Sequence, residues 1–123
     1  ASWFDEPFWT SAAWASAQLE ASGWLGALAR LPMTRSLALP GAPTVLVAHG
    51  TPRHYREGLG ERFPDEALSE LLQHHPTDVL VGSHTHNPWT RRWGRHLVLN
   101  TGSVGAPFDG DPRAAYLLLT LER

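Results

Sequence analysis

The chain has 123 residues, of which 42% are hydrophobic and 18% charged, and its formal net charge at pH 7 is −2. This balance is typical of a globular domain and excludes the basic field that draws nucleic acid or an anionic membrane surface. Cysteine is absent, so a metal site here must use nitrogen and oxygen ligands. No apolar run reaches the roughly 18 residues of a membrane span, and no basic segment followed by an apolar one begins the chain, so we expect a cytoplasmic protein.

Residues 1–40 are predicted to form a helical segment that holds four of the six tryptophans. The pattern predicts a helix over residues 12–22 that ends at Gly23, then a short helix over residues 24–30. A proline-flanked connection through residues 37–39 follows. The aromatic side chains either pack as core or contact another subunit, and the sequence leaves both interpretations open.

Two unbroken apolar runs follow, at residues 44–48 and 78–82, and both are typical of strands that are covered on both faces. Between them the sequence predicts a polar loop over residues 51–63 and then a helix over residues 64–75. This order of strand, helix and strand predicts a parallel pair with a right-handed crossover.

The remaining elements are predicted to be short strands. A hairpin joins residues 90–93 to residues 96–100 through Gly94-Arg95, and a last strand covers residues 114–121. The whole chain is therefore predicted to be a single α/β domain, with the helical segment followed by a β-rich portion over residues 41–123.

Histidine lies directly after each of the two apolar runs. His49 follows the first run, and His84 and His86 follow the second. Because the carboxyl ends of neighbouring parallel strands meet at one edge of a sheet, we expect these imidazoles to lie close together. An extended backbone would place His84 and His86 on the same side, about 6.5 to 7 Å apart, which suits two metal ions about 3.5 to 4 Å apart.

Three stretches resemble the closing motifs of the calcineurin-like metallophosphoesterases, especially their small bacterial phosphodiesterase branch. They are Val-Ala-His-Gly-Thr-Pro-Arg at 47–53, Gly-Ser-His-Thr-His at 82–86 and Asn-Thr-Gly-Ser-Val-Gly-Ala-Pro at 100–107. The resemblance implies a two-sheet β-sandwich flanked by helices, with two divalent metal ions at the strand ends. Those ions would be manganese, iron, zinc or nickel.

The resemblance also implies roles for individual residues in the hydrolysis of a phosphomonoester or phosphodiester. His49 and His84 would bind one metal and His86 the other. The residues that would contact the phosphate are Arg53, Asn100, Gly102 and Ser103.

The opening motifs of the family are absent from this chain. Asp-x-His, Gly-Asp-x-x-Asp and Gly-Asn-His do not occur, while Ser83 replaces the usual glycine and Thr101 the usual proline. We therefore expect the chain to be the carboxyl-terminal portion of a longer enzyme and to be inactive or weak alone. Association with the missing half, or with a second copy through the tryptophan-rich segment, is expected.

Other interpretations remain open at this point. The three histidines can instead hold a single zinc with an open position for water, or the chain can be a scaffold that keeps the fold without catalysis. Arg53 can equally be a solvated loop charge.

Overall fold

The computed structural model of the protein describes residues 7–121. The chain forms two compact units, residues 1–32 and residues 33–123. The division lies after Pro32, within the segment of residues 1–40 that the sequence predicted to be helical. That both parts form one domain stays a prediction.

The first unit contains two helices, Pro7–Ala21 and Leu25–Ala29, which we name α1 and α2. Helix α1 begins earlier than expected because proline is well suited to the first helical position. It stops before Gly23, as predicted, and this glycine is left-handed, with φ +76°. There the N–H of Trp24 donates to the carbonyl of Leu19, and the N–H of Gly23 donates to that of Glu20.

The second unit is built on one five-stranded mixed sheet, which confirms the predicted α/β fold class. The spatial order is β1-β2-β3-β5-β4, with β2, β3 and β5 mutually parallel and the edge strands β1 and β4 antiparallel to their neighbours. The strands are Thr34–Leu37 (β1), Val45–Ala48 (β2), Val79–Gly82 (β3), Pro88–Trp93 (β4) and His96–Thr101 (β5), and the crossover helix α3 is Asp65–His74.

Both faces of the central strands are covered, as their apolar composition predicted. Alternation along each strand sends one set of side chains toward α3 and the other set to the opposite face. On the α3 side the core consists of Leu46, Leu59, Phe63, Leu68, Leu71, Leu72, Leu80 and Val98. On the opposite side it consists of Val45, Val79, Val81 and Leu99, with Leu119 and Leu121 packed against them.

Two predicted assignments are wrong. Residues 34–37 form β1 and not a connection, because an exposed edge strand carries no apolar pattern. Residues 114–121 form no strand; the N–H of Ala115 donates to Ser103 O, and packing of Leu119 and Leu121 accounts for the apolar pattern. Residues 7–121 contribute one sheet, which agrees with the prediction that the chain forms part of a two-sheet sandwich.

None of the helices within residues 7–121 has the length and apolar composition that a membrane span requires.

Candidate metal centre

The ends of β2 and β3 bring His49 and His84 together. The two strands are parallel neighbours, with Val47 opposite Val81, so the chain leaves both at the same sheet edge. The N–H of Ser83 donates to the carbonyl of His49 at 2.9 Å and holds the two turns side by side. His49 Nε2 lies 3.2 Å from His84 Nδ1, with the ring centroids 5.1 Å apart.

The two nitrogens are hydrogen-bonded to each other, and their spacing is close to that of two ligands of one ion. Nitrogens that each lie 2.0 to 2.1 Å from a tetrahedral metal are separated by about 3.3 Å. The observed 3.2 Å between His49 Nε2 and His84 Nδ1 is a hydrogen-bond distance, and it is also close to this value. Zinc, manganese, iron and nickel all accept imidazole nitrogen, so the donor chemistry fits as well.

The electrostatic surroundings favour the neutral form of His49. Desolvation lowers the pKa of His49 below its ordinary value, and the charges of His84 and His86 lower it further. Neutral imidazole is the form that ligates a metal.

His86 is held by the loop that follows β5. Its Nδ1–H donates to the carbonyl of Ala106 at 2.6 Å, and its ring stacks on Phe108 with centroids 4.8 Å apart. This bond fixes the tautomer and leaves Nε2 as the nitrogen able to accept a ligand bond.

The backbone of the histidine turn is not extended, so the extended conformation predicted for His84 to His86 is wrong. Their φ angles are +65° and +60°, in the left-handed region that residues with a Cβ rarely adopt. The chain turns as soon as β3 ends at Gly82. Each such residue costs about 1 to 2 kcal/mol and persists only where surrounding contacts hold it.

The ligand set that residues 7–121 provide is incomplete. Within that part of the chain, no three His, Asp or Glu side chains converge well enough to hold a metal ion. Asp109 and Asp111 are occupied in turns, where Asp109 accepts the N–H of Asp111 and Asp111 pairs with Arg113. That His49, His84 and His86 are metal ligands therefore stays a prediction.

The turn after His49 is held by a network that includes Glu57, which sequence reasoning missed. Arg53, expected to contact phosphate, donates from Nε and Nη2 to the Glu57 carboxylate at 2.7 and 2.5 Å. The hydroxyl of the buried Thr51 donates to the same carboxylate at 2.5 Å. The bond from Arg53 is the main cause that lowers the pKa of Glu57.

Gly50 is required by the same turn. A Cβ at this position would lie 2.6 to 2.8 Å from the carbonyl oxygens of His54, Tyr55 and Glu57. The spacing of four residues between Arg53 and Glu57 was the only sequence signal for this network, and it is a common one.

The remaining predicted phosphate ligands have structural contacts. Asn100 is 2% exposed, and its carboxamide bonds to several chain segments. Gly102 is buried with φ +72°, and a Cβ there would lie 2.8 Å from that of Ala115. Ser103 Oγ accepts the N–H of Ala106 and so supports the loop that holds His86. Their contact with phosphate stays a prediction.

A groove of about 500 Å³ adjoins the histidine turn. Thr85 and Asn87, which flank His86, form part of its wall, with Trp89 as the apolar surface. The indole N–H of Trp89 donates to Leu59 O at 3.0 Å, so the ring has a fixed orientation. Arg62 also lines the groove, together with the acidic residues Glu61 and Asp109, so its charged wall carries one cation and two carboxylates.

Comparison with models of known protein families identifies the superfamily of this chain. The calcineurin-like phosphoesterase superfamily domain matches residues 25–123, which is more than half of the chain. The chain belongs to this superfamily. The resemblance found in the closing motifs is thereby confirmed. No curated protein matches the sequence significantly.

Solved structures share the fold of this phosphoesterase-superfamily chain. A metallophosphoesterase from Sphaerobacter thermophilus is 26% identical with a TM-score of 0.63, over 83% of this chain and 47% of that one. Vps29 from Entamoeba histolytica, complexed with Zn²⁺, is 26% identical with a TM-score of 0.51, over 68% and 44%. A predicted phosphoesterase from Streptococcus pneumoniae, 24% identical with a TM-score of 0.52 over 68% and 44%, shows the fold alone. The chain spans less than half of each of these proteins.

Proposed function

We propose that this chain supplies the histidine side of a divalent-metal centre that hydrolyses phosphate esters. The separation of 3.2 Å between His49 Nε2 and His84 Nδ1 carries the proposal, because it matches two ligands of one ion. Membership of the phosphoesterase superfamily and the likeness to a zinc-bound Vps29 support it. His86, with only Nε2 available, is proposed to ligate a second ion.

The residues of the chain have separate tasks in this proposal. His49 and His84 hold the ion as neutral rings, and the bond to Ala106 keeps the His86 ring in the ligating tautomer. A bound divalent ion supplies an acidified water molecule and stabilises charge on the phosphoryl oxygens. The organic portion of the ester is placed in the groove against Trp89, and the groove wall also holds Arg62 and the carboxylates Glu61 and Asp109.

Two ions need carboxylates to balance their charge, and residues 7–121 do not place such groups beside the histidines. We therefore propose that the other ligands come from a further part of a longer protein or from another chain. The 123-residue chain alone is expected to be a slow catalyst.

The test is a calorimetric titration of the chain with Zn²⁺, together with hydrolysis of bis(4-nitrophenyl) phosphate in Mn²⁺. His84→Ala is expected to weaken zinc binding by about tenfold or more and to abolish the slow metal-dependent hydrolysis. His74→Ala is the matched control, because His74 lies in the last turn of α3, where its Nδ1 bonds to Glu70 O. Unchanged zinc affinity and hydrolysis in His84→Ala would contradict the proposal.

A second candidate function is a mononuclear site or a binding domain without catalysis. The incomplete ligand set of the described residues favours it over a two-metal site formed by this chain alone. One zinc per chain with hydrolysis would support the mononuclear site. Zinc binding without hydrolysis would support the binding domain, provided that hydrolysis is also absent from a longer protein or complex that supplies the carboxylate ligands.

A further inference from the structure

The side-chain carboxamide of Asn100 has hydrogen-bond partners on three different segments of the chain. Its Nδ2 lies 2.5 Å from Ser83 O, 3.1 Å from Thr85 Oγ1 and 3.1 Å from Leu59 O. Its Oδ1 accepts the N–H of Gly102 at 3.0 Å. One carboxamide thus joins the histidine turn, the loop before α3 and the loop after β5.

The orientation of this carboxamide is determined by its partners. The carbonyl oxygens of Ser83 and Leu59 can only accept, and the N–H of Gly102 can only donate. Nitrogen must therefore face Ser83 and Leu59, and oxygen must face Gly102. Aspartate, with oxygen at both positions, cannot reproduce this arrangement.

The contacts lie where the backbone needs support. Ser83 comes immediately before His84, and Thr85 stands between the two histidines whose φ angles are positive. Left-handed residues persist where surrounding groups determine their conformation. The Asn100 carboxamide is buried, so solvent cannot replace these bonds if they are removed.

We propose that Asn100 is a positioning residue, which holds the turn of residues 83–86 so that His84 Nδ1 faces His49 Nε2. In this role it acts through the histidines, and the role does not depend on any contact between Asn100 and the phosphate. The inference rests on the proposed function, because the position of the rings matters for metal binding.

Asn100→Asp tests this directly. The substitution keeps the shape and the acceptor for Gly102, but it places an oxygen against the carbonyl oxygens of Ser83 and Leu59. Thr77→Val is the control for stability, because Thr77 is also buried. Its hydroxyl lies 3.0 Å from Thr44 O, before β2, and 3.0 Å from Val79 O, in β3. Both contacts lie at the end of the strands opposite the histidines.

Two measurements are needed, both on the 123-residue chain. Nuclear Overhauser contacts report whether the rings of His49 and His84 are neighbours without metal, and calorimetry reports the affinity for Zn²⁺. Asn100→Asp is expected to lose the ring contact and about tenfold or more in zinc affinity, while Thr77→Val keeps both at a comparable loss of stability. Ring contact and affinity that survive in Asn100→Asp, or fall equally in Thr77→Val, would overturn the proposal.

The ring contact also separates this inference from the proposed function. A wild-type chain with neighbouring rings and no zinc affinity would refute metal binding, and the effect of Asn100→Asp on the rings would still decide the positioning role. If Asn100→Asp does not fold, Thr85→Val removes one partner of the carboxamide with a smaller change. Thr85→Val is then expected to weaken the contact between the His49 and His84 rings. An unaltered contact would refute the positioning role of Asn100.

Discussion

Glu57 and Asn100 hold the backbone on the two sides of the candidate metal centre. Glu57 accepts bonds from Thr51 and Arg53 in the turn after His49, and Asn100 bonds around the turn that carries His84. Neither was identifiable as a support from the sequence, because their contacts depend on loops whose paths no periodicity predicts. The closeness of His49 and His84 was predictable, since the parallel order of β2 and β3 places both strand ends at one edge.

The Glu57 network predicts a pH-dependent stability. The pKa of Glu57 is lowered in the folded protein, so its contribution is present above the ordinary value of 4.5 and is lost as pH falls through the lower folded value. Because the pair with Arg53 is partly exposed, Glu57→Gln is expected to cost only about 1 kcal/mol at pH 7.

Urea unfolding at pH 7 and at successively lower pH checks this expectation. The difference between wild type and Glu57→Gln should shrink as pH falls below 4.5. Glu61→Gln serves as the control, since Glu61 is exposed and forms no ion pair among the described residues. A difference that stays constant across this range would argue against the network.

At the scale of elements, α3 is the main cover of one face of the sheet. Leu68 is 1% exposed and belongs to the core that α3 forms with the sheet. Leu68→Ala is expected to lower the free energy of unfolding by about 2 to 5 kcal/mol, through lost burial and the cavity that remains. Leu118→Ala, at an 86% exposed position, should change it by less than about 0.5 kcal/mol. Equal effects of the two substitutions in urea unfolding would show that α3 does not pack as described.

The elements differ in how well their sequences reveal them. The runs at β2 and β3 and the apolar stripe of α3 were predicted because each is buried along its length or on one face. The edge strand β1 was missed because pairing with β2 requires only its backbone, and its side chains are mostly exposed. The left-handed turn at His84 was missed because it results from tertiary contacts and not from local preference.

At the scale of the whole molecule, the chain is a phosphoesterase-superfamily fold that spans less than half of the solved proteins it resembles. The motifs at residues 47–53, 82–86 and 100–107 were sufficient to predict the family. The boundary after Pro32 was not predictable, because the prolines and the polar residues around it extend to Pro40 without a clear break.

The central claim is that His49 and His84 bind the same ion through Nε2 and Nδ1. The direct test is nitrogen-15 NMR of the histidine rings while Zn²⁺ is added to the chain. We predict that His49 Nε2 and His84 Nδ1 shift together to metal-bound values and saturate at the same amount of zinc. Shifts at the opposite nitrogens, saturation at different amounts of zinc, or no shift of either ring would contradict the claim.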